Sequence, residues 1–521
     1  MKRAMLSVLA VVLTHAHVLT MSPAQPTATT LAVVDGRVAY VGDDEAAARR
    51  AAGPDATELD VGGRTIMPGF NDAHVHFGVA ITFGGSKGID VPELPAKKWL
   101  AAVAEAARTR SARRPRTSEE PGRDWLFVTT PELPAGVKRA EALDFLGRPV
   151  FVVSRHGGVL NHRAMALAHV KASEAPHGFI GGREVSIVIA RAVRAQPKAE
   201  LAADAVSFLG ELSRLGITSV QLIAHDELPD IFESLRQEGR LGVRVRIVPF
   251  GLRFGDRLYA SDWHAAAPEW VRVDGAKYFH DDWARLTRLD FQRIFDDVAK
   301  AGHFVVLHVL SRHALQTFLD ELELFAEAHP ELTRWFRIDH VDEATRAQAE
   351  RLAKLHVIVC ATPAMLPQWR SDHAFPLRTL IDAGVQLCLG TDWLGRHTPP
   401  RPLSPLASLE TAVTHGGFGT VERITPLEAL TAYTAGSAAA EGEGDDKGRL
   451  VPGMFADLIV LSADPLTTAP EHLGEIDVLM TMVGGRVVHR LGGFGAPPPS
   501  SIGRPNPAPQ PTIGPLPERK R

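Results

Sequence analysis

Residues His303–Leu310 read HFVVLHVL, apolar from Phe304 onward except for His308 and without polar alternation. A strand buried on both faces has this pattern, as in a parallel sheet covered by helices. Comparable stretches recur at Pro68–Phe77, Thr218–Ile223, Val243–Phe250, Val271–Phe279, Phe336–His340, His356–Cys360 and Gln386–Leu389. That makes eight strands, with helical patterns between most neighbours. The alternation predicts a (β/α)8 TIM-like barrel, a fold that gathers its working residues at the C-terminal ends of the strands.

Those ends carry chemistry. Pro68–Phe77 reads PGFNDAHVHF, so His74 and His76 lie two apart on a strand and share one face. The fourth strand presents Lys277 in GAKYFHDD, the fifth carries His308, the sixth ends RIDH at His340, and GTDW after the eighth supplies Asp392. A single strand histidine is usually a hydrogen-bonded core residue, and a single lysine usually reaches for solvent. Six such residues at one mouth point instead to a divalent metal, zinc or a similar ion, since neutral imidazole and carboxylate are its ordinary ligands.

His74 and His76 are expected to hold one ion, with Asp392 completing the set. A free ammonium has no lone pair to offer, so Lys277 joins only if N-carboxylated to a carbamate that bridges to a second ion on His308 and His340. If Lys277 stays an amine, one ion serves. In either case bound water loses a proton readily, and Asp392 is placed to take it and return it to a leaving amine. Asp392 and His340 are the expected catalytic pair.

The bulk composition adds boundaries. The chain has 521 residues, 45% hydrophobic and 23% charged, with a net charge of −4. These values are ordinary for a soluble globular protein and give no sign of a nucleic-acid groove or a membrane surface. The only cysteines, Cys360 and Cys388, sit in apolar runs, which predicts buried reduced thiols and leaves metal binding to His and carboxylates. Lys2-Arg3 and the apolar run after it outline a secretory signal, but the run passes straight into strand-like sequence. An uncleaved cytoplasmic chain is the expectation, with secretion as the alternative. A homodimer is compatible with all of this.

Both ends read as small-sheet material. Strands are expected at Leu6–Leu13, His17–Met21, Thr30–Val34 and Arg37–Gly42, the last two joined by an Asp35-Gly36 turn, and again at Ala456–Leu461 and Val478–His489. Neither end builds a core alone, so residues 1–67 and 446–491 are expected to form one small β-sandwich domain beside the barrel of 68–445. Within the barrel, 85–215 reads as an α/β insertion after the first strand, with helices near Ala96–Arg110 and Ala199–Leu215 and one buried strand, Pro149–Ser154. Residues 492–521 hold nine prolines between 497 and 517 and are expected to be disordered.

Taken together, LAVVDGRVAYVG, PGFNDAHVHF, FVVSRHGGVLNHRAM, DGAKYFHDD, LHVLSRHA, RIDHV, LGTDW, SPLASLETAV, ITPLEALTAYTAGSA and GRLVPGMFADLIVLSADPL resemble, in content and order, the amidohydrolase superfamily. Over nearly all of residues 10–490 the chain is similar to its amidohydrolase 3 branch, which includes N-substituted formamide deformylases. The resemblance implies a metal-dependent hydrolase acting on a non-peptide C–N bond of a small-molecule amide, an N-acyl or N-formyl amine. It matches His74, His76, Lys277, His308, His340 and Asp392 to metal and catalytic positions, and His156 to a histidine near the substrate. The chain departs from the pattern at Ser311-Arg312, at Asp281-Asp282 after His280, and at Ser154-Arg155-His156. Arg155 and Arg312 are therefore candidates for gripping a substrate carboxylate, with local ion pairing to Asp281 or Asp282 as the other reading. Cyclic amides, esters and deaminated rings are alternative substrates for the same site, and an inactive barrel scaffold is the alternative of another class.

Overall fold

The computed structural model describes residues 10–82, 88–113, 125–154, 157–181, 184–224, 228–250, 266–282, 285–301, 304–365, 375–392, 404–417, 419–492 and 494. Two all-parallel sheets with helices between their strands form the largest part of the chain. We number their strands β1 (Phe70–Val75), β2 (Ile217–Ala224), β3 (Arg244–Pro249), β4 (Val271–Val273), β5 (Ala276–Phe279), β6 (Val305–Val309), β7 (Phe336–His340), β8 (Ile358–Ala361) and β9 (Leu387–Leu389). One sheet runs β4-β3-β2-β1, the other β5-β6-β7-β8-β9. Every residue of β1, β2, β3, β7, β8 and β9 is buried, which accounts for runs without polar alternation.

The expected fourth strand, Val271–Phe279, is broken in two at Asp274-Gly275. Gly275 has φ 74°, and a Cβ there would stand 2.4 Å from the Phe304 carbonyl oxygen, so only glycine allows the kink. The kink lets β4 pair with β3 while β5 pairs with β6. An isolated parallel bridge from Phe250 to Lys277 links the two sheets at this point. On the other side the Asp392 N–H donates to the His74 carbonyl oxygen at 2.8 Å.

Helices follow the strands and are capped by residues that sequence marks as starts. Ser311 caps Arg312–Ala328 through its Oγ, and Thr345 with Gln348 forms a capping box on Arg346–Lys354. Their inward faces, including Leu315 and Phe318, pack with Phe77, Phe232 and Phe336 into the main core.

Strands from both chain ends share a six-stranded sheet, with Thr65–Pro68 lying between Leu458–Leu461 and His17–Leu19. Its core joins Val18, Leu31 and Ile66 to Leu458, Val460 and Met480. The Asp35-Gly36 turn has φ of 49° and 78°, the doubly left-handed geometry of a tight hairpin. The first strand runs Ala10–Thr14, and residues 1–9, with most of the signal-like stretch, lie outside the described residues, as does the proline-rich tail from 495.

Between β1 and β2 sits a five-stranded sheet with its own core around Trp99, Leu126 and Val152. Sequence reading finds one of its five strands. The others are three or four residues long, and Gly88, Gly157, Gly158 and Gly181 leave too few side chains for a period to register. The two helices expected in this segment span Ala96–Arg113 and Lys198–Arg214, and His162–Leu167 and Glu184–Arg194 are helical as well.

Candidate metal centre

His74 lies on β1 and His76 one residue past its end, and their Nε2 atoms are 3.1 Å apart. Asp392 reaches them from the segment after β9, with Oδ1 at 3.5 Å from His74 Nε2 and 3.1 Å from His76 Nε2. This approach depends on Gly390, where a Cβ would lie 2.8 Å from both Cβ and N of His74. Asp72 ties the same two segments together. It accepts from Thr391 N at 2.9 Å, Thr391 Oγ1 at 2.6 Å and His74 N at 3.2 Å.

Around a zinc-like ion with bonds of about 2.0–2.1 Å, tetrahedral donor atoms stand about 3.3–3.4 Å apart. The three separations fit that spacing, and buried Asp392 Oδ1 has no hydrogen-bond donor of its own. The residues therefore fit a divalent ion.

His340 ends β7 in a left-handed conformation, φ 81°, with its ring centroid 5.1 Å from that of His74 and 4.6 Å from that of His308. Its Nδ1 lies 3.2 Å from Thr362 Oγ1, which leaves Nε2 free of that contact. His308, on β6, is 3.8 Å from Asp281 Oδ2 and rests against Phe279 at 5.1 Å between centroids. Phe250 stacks between Phe279 and His76 and extends this apolar wall.

Lys277 is buried, and its ammonium pairs with Asp339, whose carboxylate also lies against His74. Asp339 is a residue that sequence reading passes over, and it organises the floor of the site. Arg337 Nε donates to its Oδ1 at 2.8 Å, and its Oδ2 lies 2.8 Å from His74 Nδ1, close but poorly aligned. Arg337 also donates to Gln221 Oε1 and to the Ala73 carbonyl oxygen. A carboxylate behind a ligating imidazole fixes the ring and leaves the other nitrogen facing the ion. The signal in sequence is RID: two charges at alternate positions of a strand buried on both faces. His340 breaks that alternation, and its left-handed backbone is what lets two successive residues serve one site.

Electrostatics favour the ligating forms. Burial, with help from Lys277, pulls His74 down to about 4. Burial takes His340 down to about 3, and burial and His340 hold His308 well below the ordinary imidazole value. Burial opposes charge on Asp392 and Asp339. It is outweighed by His74 and His76 for Asp392, and by Arg337, Lys277 and His74 for Asp339, so both stay below the usual carboxylate range. Burial lowers Lys277, against the pull of Asp339. Burial pushes Asp72 up to about 7 and Asp342 up to about 8.

These shifts set a pH dependence for the metal-free protein. His74, His308, His340 and His280 (about 4, by burial) are depressed, so their contribution is complete above pH 6.5 and drains away as pH falls towards 4 and 3. Asp72 and Asp342 are raised, so theirs is complete below 3.8 and is lost as pH rises through 7 and 8. Four imidazoles against two carboxyls leave a net loss on acidification below pH 6.5 and a mild loss above it. Thermal midpoints recorded with chelator from about pH 8 to about pH 4 should peak near 6.5. A flat profile across the acid limb contradicts the burial of neutral imidazoles.

Cys360 and Cys388 are free, buried and paired in register on β8 and β9. Cys360 comes within ligand range of His74 and Asp339, but burial and Cys388 keep its thiol protonated, and Arg337 and Lys277 occupy Asp339. Arg312 is the exposed first residue of its helix, while Asp282 pairs with Arg285 at 2.9 Å. Arg155 and His156 lie outside the described residues.

Comparison with known proteins follows the same lines. The chain is 25% identical to an N-substituted formamide deformylase of Arthrobacter pascens, over 90% of this chain and 96% of that one. It is 26% identical to an imidazolonepropionase of Paracoccus denitrificans (strain Pd 1222), over 88% and 94%. A crystal structure of an uncharacterized metal-dependent hydrolase from Pyrococcus furiosus superposes with a TM-score of 0.67 at 21% identity, covering 88% of this chain and all of that one. The model of the amidohydrolase family matches residues 57–489, from the composite sheet through every ligand candidate to the closing hairpin, and the chain belongs to that family.

Proposed function

We propose that the protein is a metal-dependent hydrolase that cleaves a non-peptide C–N bond in a small-molecule amide, an N-acyl or N-formyl amine. The observation that carries this reading is the convergence of His74 Nε2, His76 Nε2 and Asp392 Oδ1 within 3.5 Å of one another. They would hold one zinc-like ion, which when bound lowers the pKa of water from about 16 towards about 7 and polarises the scissile carbonyl. Lys277 stays an ammonium in this reading, because a carbamate there would face the Asp339 carboxylate.

Asp392 accepts the proton given up by the attacking water and delivers it to the leaving nitrogen. The Thr362 hydroxyl serves either tautomer of His340, so His340 Nε2 is available as a ligand or as a donor to the carbonyl oxygen. His308 and the Phe250–Phe279 wall bound the acyl side. Arg312, and Arg155 with His156, are assigned to substrate binding. The two parallel sheets are read as one (β/α)8 barrel, bridged at Phe250–Lys277 and at Asp392–His74, with 1–67 and 446–491 as the β-domain and 85–215 as the insertion. The free thiols suit a cytoplasmic setting. Among the described residues no helix is long and apolar enough to cross a membrane.

The formamide deformylase relative, aligned over nearly its whole length, supports the acyclic amide; the imidazolonepropionase relative supports a cyclic amide as the second reading. Elemental analysis of purified protein should find about one ion per chain. His74→Ala should lose both the ion and turnover in a screen of N-formyl, N-acetyl and cyclic amides. Full turnover by metal-free wild type would end the proposal.

A further inference from the structure

Just past the end of β7, a buried carboxyl has no cation to answer it among the described residues. His340 and Val341 are both left-handed, φ 81° and 54°, and turn the chain back over the end of β7. The Val341 and Glu343 N–H groups donate to the carbonyl oxygens of Val309 and Leu310, which fixes residues 341–343 beside the end of β6. Asp342, in the middle of that segment, is 7% exposed, and its Oδ1 is buried without a hydrogen-bond partner. Asp281, whose charge acts on Asp342, is tied to the same Leu310; it is 2% exposed and accepts from Leu310 N at 3.3 Å and from Asp282 N at 2.8 Å.

The charged groups that bear on Asp342 are Asp392, Asp281 and Glu343, all acidic. Among the described residues, Lys277 and Arg337 are committed to Asp339, and Arg285 to Asp282. A buried carboxyl with no donor is costly to keep unless something arrives to pair with it.

We propose that Asp342, with Asp281 beside it, is a recognition site for a positively charged group, a primary ammonium or amidinium, carried by the substrate close to the scissile C–N bond. This rests on the hydrolase reading above and narrows its substrate class to cationic amides. The ammonium supplies the hydrogen bonds that Asp342 Oδ1 lacks, and the apolar Phe250–Phe279 side receives the remainder of the molecule.

Three formamides of matched length test it on the metal-loaded full chain: N-formyl-1,3-diaminopropane (cationic), N-formylbutylamine (neutral) and N-formyl-γ-aminobutyrate (anionic). The expected order of kcat/KM is cation, neutral, anion, with the first ratio about tenfold to about a hundredfold. Asp342→Asn and Asp281→Asn should each bring that ratio towards one. A wild-type preference for the neutral or anionic substrate, or a ratio unchanged in both variants, overturns the inference.

A second arm does not depend on turnover. By calorimetry, butylammonium should bind wild type more tightly than 1-butanol, and Asp342→Asn should erase the difference. Absence of hydrolysis of all three formamides would count against the acyclic reading. Equal binding of butylammonium and 1-butanol would count against the acidic site itself.

Discussion

Asp392→Asn is expected to lower turnover by about 10²–10⁴-fold, the range typical of losing a positioned acid–base group. The substitution is nearly isosteric, and asparagine tolerates the left-handed backbone that Asp392 adopts at φ 51°. The backbone hydrogen bond to the His74 carbonyl oxygen is unaffected, so the β1–β9 junction keeps its shape. What disappears is the negative charge between His74 and His76 and the oxygen proposed to receive the proton. Turnover measured at saturating metal, alongside metal content and circular dichroism, separates lost proton transfer from lost ion. A drop smaller than tenfold, with metal retained, removes Asp392 from the proton path.

The second large effect is on stability. Arg337 is fully buried on β7 and bonded to Asp339, Gln221 and the Ala73 carbonyl oxygen. Arg337→Ala removes the guanidinium that balances Asp339 and leaves Lys277 alone to do so inside the sheet. Breaking a buried pair in this way costs about 3–5 kcal/mol, because the remaining charge stays in a low-dielectric interior. Urea unfolding of the metal-free protein gives the number. Metal affinity should fall as well, by about 10–100-fold, since Asp339 orients His74 from behind. A variant as stable as wild type, with unchanged affinity, means that the network beneath the site is dispensable.

The two effects lie at different depths, and so does their legibility. Asp392 is readable in sequence because it follows a short apolar run and sits in GTDW, a polar residue at the end of a buried strand. His74, His76, His308 and His340 are readable in the same way. Asp339 and Arg337 are not read as site residues, because on a strand they fall out of phase with His340. Only the left-handed turn at His340 puts neighbouring residues to work together. Asp72 is hidden for a related reason. It precedes the histidines in PGFNDAH, and its partner Thr391 is 319 positions away.

The insertion was the least legible part of the fold. Three of its five strands are three or four residues long and contain glycine, so they carry neither the length nor the side-chain rhythm that marks the parallel strands. The break at Asp274-Gly275 carries the same dipeptide that marks the turn at Asp35-Gly36, so its signal is present in the sequence and is passed over when Val271–Phe279 is read as one strand.

By itself the sequence determined the alternation of buried strands and helices, the hairpin turn at Asp35-Gly36 and the residue types at the strand ends. Each is a local property, fixed by the solvation and backbone preferences of neighbouring side chains. The tertiary structure alone decided that His74, His76 and Asp392 meet within 3.5 Å and that Lys277 faces Asp339. It also decided that Asp342, among the described residues, is left without a cation. Those outcomes depend on which distant strands lie side by side and how closely Gly390 lets them approach, and no local preference encodes a distance between segments hundreds of residues apart.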